Sequence, residues 1–150
     1  MDAVTRGLAR GITASIASGL LLSLIARGAC AAPVRIEIHG VVKSAGAIHI
    51  ALFNSQASWD SEDDDISLQV RAVPGTTVAQ VDLPPGEYAF FLWDDVIGDG
   101  KLAKTWVGFP DEPYAFSNNV RLEFSKPSFS DLRFAVSKQG ATQVIQLVQP

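Results

Sequence analysis

The sequence is short of the residues that carry most site chemistry. It has one cysteine, one methionine and two histidines in 150 residues. One cysteine excludes an internal disulfide and any Cys/His zinc spacing. His39 and His49 fall singly within strand-like runs and form no ligand motif. No serine sits in a nucleophile elbow. Past residue 31, no apolar run is long enough to cross a membrane as a helix. Positive charge is also scarce, with 12 Lys and Arg against 16 Asp and Glu. Such a balance makes nucleic acid and anionic lipid poor partners, because phosphate is repelled.

What is present begins with a leader. Arg6 and Arg10 precede a mostly apolar run from Ile12 to Ile25, and Ala29-Cys30-Ala31 is a small-x-small cleavage site. Charge, short apolar run and small-residue site in that order read as a signal peptide over residues 1–31. Lipidation of Cys30 would want an aliphatic residue where Arg27 stands. Cleavage after Ala31 removes the cysteine and leaves one domain, residues 32–150, with no membrane anchor. Without Arg6, Arg10, Arg27 and Asp2 the chain keeps nine basic and fifteen acidic residues, a net of about −6. The expected location is the periplasm or the medium.

The remainder alternates with a period of two. Val34, Ile36 and Ile38 alternate with Arg35, Glu37 and His39, and Ile48, Ile50 and Leu52 repeat the pattern. Further runs cover residues 67–73, Thr77 to Leu83, Tyr88 to Trp93, Leu132 to Val136 and Thr142 to Val148. Tyr88 to Trp93 is apolar on both faces, as a central strand covered on two sides would be. The spacing predicts an all-β fold, a single antiparallel β-sandwich of about seven strands, immunoglobulin-like or prealbumin-like. Tyr88, following Pro84-Pro85-Gly86, is placed for a tyrosine corner, a structural role. Trp59 is expected to pack on the core, and the acidic run from Asp60 to Asp65 to be a solvated loop.

Two candidate sites lie in the long segment from residue 94 to 119. Asp94, Asp95 and Asp99, set among Gly98 and Gly100, offer oxygens to a hard cation such as calcium. Ile97 and Ala103 stand where further oxygen ligands would be wanted, and Asp99-Gly100 is also an ordinary turn pair. Trp106, Tyr114 and Asn118 are the groups expected to be exposed for recognition of an envelope protein or glycan. A glycosidase pair of carboxylates is a spatial arrangement, and the sequence selects none.

From Val81 onward the chain resembles an exported bacterial family known as domain of unknown function 2141. The resemblance rests on Leu83-Pro84-Pro85-Gly86-Glu87-Tyr88-Ala89, the loop from Asp95 to Leu102, and Gly108-Phe109-Pro110-Asp111-Glu112. Tyr114-Ala115-Phe116-Ser117-Asn118-Asn119 and Lys126-Pro127-Ser128-Phe129 complete it. It implies an exported β-sandwich similar to transthyretin-like or carboxypeptidase-regulatory-like domains. It implies no activity. Asp94, Val96, Ile97 and Ala103 depart from the polar residues usual in the family's loop, so a calcium site there would have lost oxygens.

Three functions follow, in this order. The first is an exported non-enzymatic binding or accessory domain that uses the 94–119 loop. The second is a calcium-stabilised sandwich. The third is an envelope glycan hydrolase.

Overall fold

The computed structural model describes residues 30–42 and 46–150. The signal-peptide assignment therefore lies outside the described residues, apart from Cys30 and Ala31. The first strand, β1 (Ala32–Val41), begins directly after them. Its Val34, Ile36 and Ile38 are fully buried, and Arg35, Glu37 and His39 between them face outward, half-buried.

Two sheets face each other. In the first, β1 lies between β4 (Gly75–Leu83) and β8 (Ala141–Gln146). In the second, the order is β3 (Ile66–Arg71), β2 (Ala47–Phe53), β5 (Gly86–Asp94) and β6 (Tyr114–Phe116). A further strand, β7 (Phe134–Val136), pairs with the start of β5. The expected sandwich is there, with two differences. It has β6 in addition, and β1 and β8 run parallel, from Val34 opposite Ala141 to His39 opposite Gln146. Alternation marks which residues face inward; it says nothing about the direction of the neighbouring strand.

The core fills the space between the sheets. Ile36, Ile38 and Ile145 from the first sheet meet Ile48, Ile50, Leu52, Phe90 and Leu92 from the second. Each such side chain, removed from water, contributes about 1.5–3 kcal/mol before conformational entropy is subtracted. Tyr88 forms the expected corner, its hydroxyl donating to the Pro84 carbonyl at 3.0 Å. Gly140, with φ of 94°, passes so close to the Pro33 carbonyl that a Cβ there would collide with it.

A second apolar cluster lies on the outer side of the second sheet, where Phe53, Trp59, Ala89, Phe116, Phe129 and Leu132 pack together. Two short helices make it. The first, α1 (Gln56–Ser61), is capped by the Ser55 hydroxyl and brings in Trp59, which is buried as expected. The indole N–H of Trp59 donates to the Pro127 carbonyl at 2.8 Å. The second, α2 (Phe129–Leu132), opens with a capping box between Ser128 and Asp131. The acidic residues from Glu62 to Asp65 are exposed, and Asp65 accepts the Asn54 amide at 2.8 Å.

Candidate functional site

The outer face of β5 carries Ala89, Phe91 and Trp93, all apolar. Register sets Phe91 between Ala51 of β2 and Phe116 of β6, and Trp93 between His49 and Tyr114. The helices cover the Ala89 end. At the other end Ala51, Phe91 and Trp93 stay half-buried, so the strand is not closed over on both sides as expected. The rings support one another. Phe91 and Trp93 stack with centroids 5.7 Å apart, and His49 stacks on Trp93 at 4.7 Å. Ala51, Phe91 and Trp93 floor a cleft of about 720 Å³.

One wall of the cleft comes from the segment after β5, which is locked from within by two carboxylates. Asp95 Oδ1 accepts the Gly98 and Asp99 amides at 2.6 and 3.2 Å, and Oδ2 accepts the Gly100 amide at 2.8 Å. Gly98 and Gly100 take the positive φ values, 80° and 73°, that turn these amides inward. Fully buried Glu112 accepts the Ile97 amide at 3.3 Å on one oxygen and the Ala103 amide at 3.0 Å on the other. Burial pushes the Asp95 carboxyl up. The amides of Gly100, Gly98 and Asp99, with His49 Nε2 3.6 Å away, outweigh it and hold the group below the ordinary carboxylate value.

Beyond this turn, residues 103–111 form a self-stitched hairpin. The Asp111 amide donates to Ala103 O, the Thr105 amide to Phe109 O and the Gly108 amide to Thr105 O, at 2.8 to 2.9 Å. At its tip Trp106 is 98% exposed, followed by Val107 at 54% and Phe109 at 41%. Phe124, from the segment before α2, is 97% exposed and also lines the cleft. An apolar mouth over an aromatic floor is the usual composition of a recognition surface.

Charged groups ring the cleft. Lys101 and Lys104 stand on the hairpin side, and Glu62, Asp64 and Lys126 on the α1 side. Lys126 is engaged already: its Nζ donates to the Trp59 carbonyl at 2.7 Å, pairs with Glu62 at 3.1 Å and sits over the Trp59 ring.

The sequence candidates meet different fates. Trp106 is exposed as expected. Tyr114 is not: it is buried, because register aims it into the row with Trp93, and its ring meets Phe91 at a tilt and Phe116 edge to face. Asn118 is exposed but its amide is occupied, donating to Leu132 O and Arg133 O at 2.9 and 3.0 Å and accepting from Gln143 at 3.2 Å. Asp94 is wholly buried. Asp99 is exposed and accepts the Lys101 amide at 2.9 Å. Among the described residues, no group of three or more His, Cys, Asp or Glu side chains is arranged to hold a metal ion.

Another polar chain stands away from the cleft. Thr76 Oγ1 lies 3.1 Å from His39 Nδ1, and His39 Nε2 lies 3.0 Å from Glu37 Oε1. The row runs across the outer side of the first sheet, on strands β4 and β1, outside the cleft.

The motifs quoted above as family-like are seen here to close loops. Ser117, fully buried, donates to Leu132 O at 2.7 Å and accepts the Phe90 amide at 3.2 Å. Asn119 donates to Val144 O and accepts the Gln146 amide, both at 2.8 Å. Ser117-Asn118-Asn119 thus joins β5, the α2–β7 connection and β8. Asp95, Gly98, Gly100 and Glu112 do the same for the cleft wall. No curated protein and no solved structure shows significant similarity to the chain. The pattern defining DUF2141, described as an uncharacterized protein conserved in bacteria, matches residues 36–145. That span holds both sheets and both loop-closing motifs, and by it the chain belongs to the DUF2141 family.

Proposed function

We propose that the protein is an exported, non-enzymatic binding domain, working in the periplasm or the medium, and that its contact surface is the cleft on the second sheet. One observation carries the reading. Half-buried Phe91 and Trp93 floor a cleft of about 720 Å³, and Phe109 and Phe124, both exposed, stand at its mouth. Solvent-facing aromatics on a stitched hairpin start from a fixed backbone, so less of the apolar gain on binding is lost to ordering. The site differs from the sequence expectation in position. Phe109 and Phe124 line it, Trp106 stands beside it on the same hairpin outside the lining, and Tyr114 and Asn118 serve the fold. Export has support from the leader pattern and from the place of β1, which begins at Ala32, where cleavage after Ala31 would leave the chain end.

The other readings have less behind them. Asp95 spends both oxygens on peptide N–H groups, which describes a self-closed turn better than a calcium site. The carboxylates lining the cleft, Glu62 and Asp64, stand two residues apart on one side, whereas glycosidases set theirs on either side of the scissile bond.

The test is binding of a neutral apolar dye, Nile red, to the purified protein and to Ala51→Trp, which places a large ring on the cleft floor. Dye fluorescence should rise with wild type and fall at least several-fold with the variant. Equal dye binding by both proteins, with unchanged circular dichroism, would remove the cleft as the site.

A further inference from the structure

We infer that the cleft takes a monomeric, single-chain amphiphile with an anionic head, its chain on the Phe91–Trp93 floor and its head at Lys101 and Lys104. The inference rests on the reading of the cleft as a binding site and adds the class of ligand and its direction. The floor supplies apolar area that water covers in the free protein, and a chain laid on it releases that water. The volume, about 720 Å³, lies within the range of small-molecule sites.

The head group follows from charge. Among the described residues the ammonium groups of Lys101 and Lys104 make no ion pair or hydrogen bond, whereas the third lysine of the cleft, Lys126, is held by Trp59 O and Glu62. The two free cations lie three residues apart on the wall fixed by Asp95 and Glu112, so their backbone positions are set before a ligand arrives. The facing wall carries Glu62 and Asp64, which repel a carboxylate. This polarity across the cleft admits the anionic head at one end only.

Net charge selects a monomer over a membrane. Residues 32–150 carry about −6, and the whole domain would be pushed from an anionic bilayer, while a lone carboxylate feels chiefly the two nearby lysines. The apolar mouth, Val107, Phe109 and Phe124, then shields the chain beyond the floor.

Displacement of Nile red by dodecanoate and by dodecanol tests this. With wild type, dodecanoate should displace the dye at about fivefold lower concentration, the size expected for two exposed lysines, and the gap should shrink in high salt. The K101A/K104A protein should lose the gap, acid and alcohol being compared within the same variant so that any change in dye affinity cancels. Equal displacement by acid and alcohol, with dye still excluded by Ala51→Trp, would overturn the anionic head and leave the cleft standing. Dye binding indifferent to Ala51→Trp would remove the cleft itself. Binding to anionic phospholipid vesicles without any displacement by monomeric dodecanoate would overturn the monomer in favour of a membrane surface.

Discussion

Asp95 shows how one side chain sets the shape of the site. Its carboxylate gathers three peptide N–H groups and so closes the turn from which Lys101 and the hairpin depart. Replacing it with alanine leaves those donors turned toward a void, and Asp95→Ala should lower stability by about 2 kcal/mol in urea unfolding at pH 7. The folded carboxyl lies below its ordinary value, so its contribution is present above about pH 4 and fades as acid protonates it. The gap between wild type and Asp95→Ala should therefore narrow at pH 3. A gap of the same size at both pH values would show that the charge has no part in it. This role was only partly legible in the sequence. Aspartate and glycine in alternation marked a special turn, but whether the oxygens faced a cation or the turn's own amides was decided by the backbone that Gly98 and Gly100 allow. Tyr88 was legible because a Pro-Pro-Gly turn fixes what precedes it. Tyr114 was not, since its burial follows from a register with Trp93 that no local pattern encodes.

At the scale of the element, the outer edge of β8 illustrates how the fold protects an open strand. β8 pairs with β1 on one side, and on the other Asn119 bonds Val144 O and the Gln146 amide in place of a neighbouring strand. Asn119 has φ of 56°, a conformation asparagine tolerates and alanine resists. Asn119→Ala should cost about 2 kcal/mol, from two lost hydrogen bonds and the strained backbone. Asn119→Gly should cost about half of that, because only the bonds are lost. In both, hydrogen exchange at Gln146 should quicken; unchanged exchange there would mean that the edge is held by other contacts. Most of the seven longer runs were legible because apolar residues recur at alternate positions, and β5 because its apolar stretch is unbroken. β6 escaped notice, being three apolar residues with no alternation to read. The helices left their caps in the sequence, Ser55 before Ser58 and Ser128 before Asp131, but each is too short to show a helical period.

The whole molecule brings together what the sequence keeps apart. The cleft uses residues from β2, β5, the hairpin and the segment around Phe124, separated by more than seventy positions, so it was not legible before the sheets were assembled. The same assembly spends Asp95 and Glu112 on the chain's own amides. Thermal unfolding should accordingly show the same midpoint with excess chelator and with millimolar calcium. A rise of several degrees with calcium, absent in Asp99→Ala, would mean that the loop rearranges to bind the ion, since a ligand held only by the native state raises its melting temperature.

The parallel contact of β1 with β8 ties the first strand to the last. A chain made from its amino end can form the β2–β3 hairpin early, but the three-stranded sheet stays incomplete until residue 146 has been synthesised. Sequence-distant pairing of this kind slows folding, because a long loop must close before the contact is gained. Under the proposed export, a precursor that passed a membrane as an unfolded thread would benefit from that delay. Its topology withholds the native state for as long as any part of β8 is still inside the ribosome.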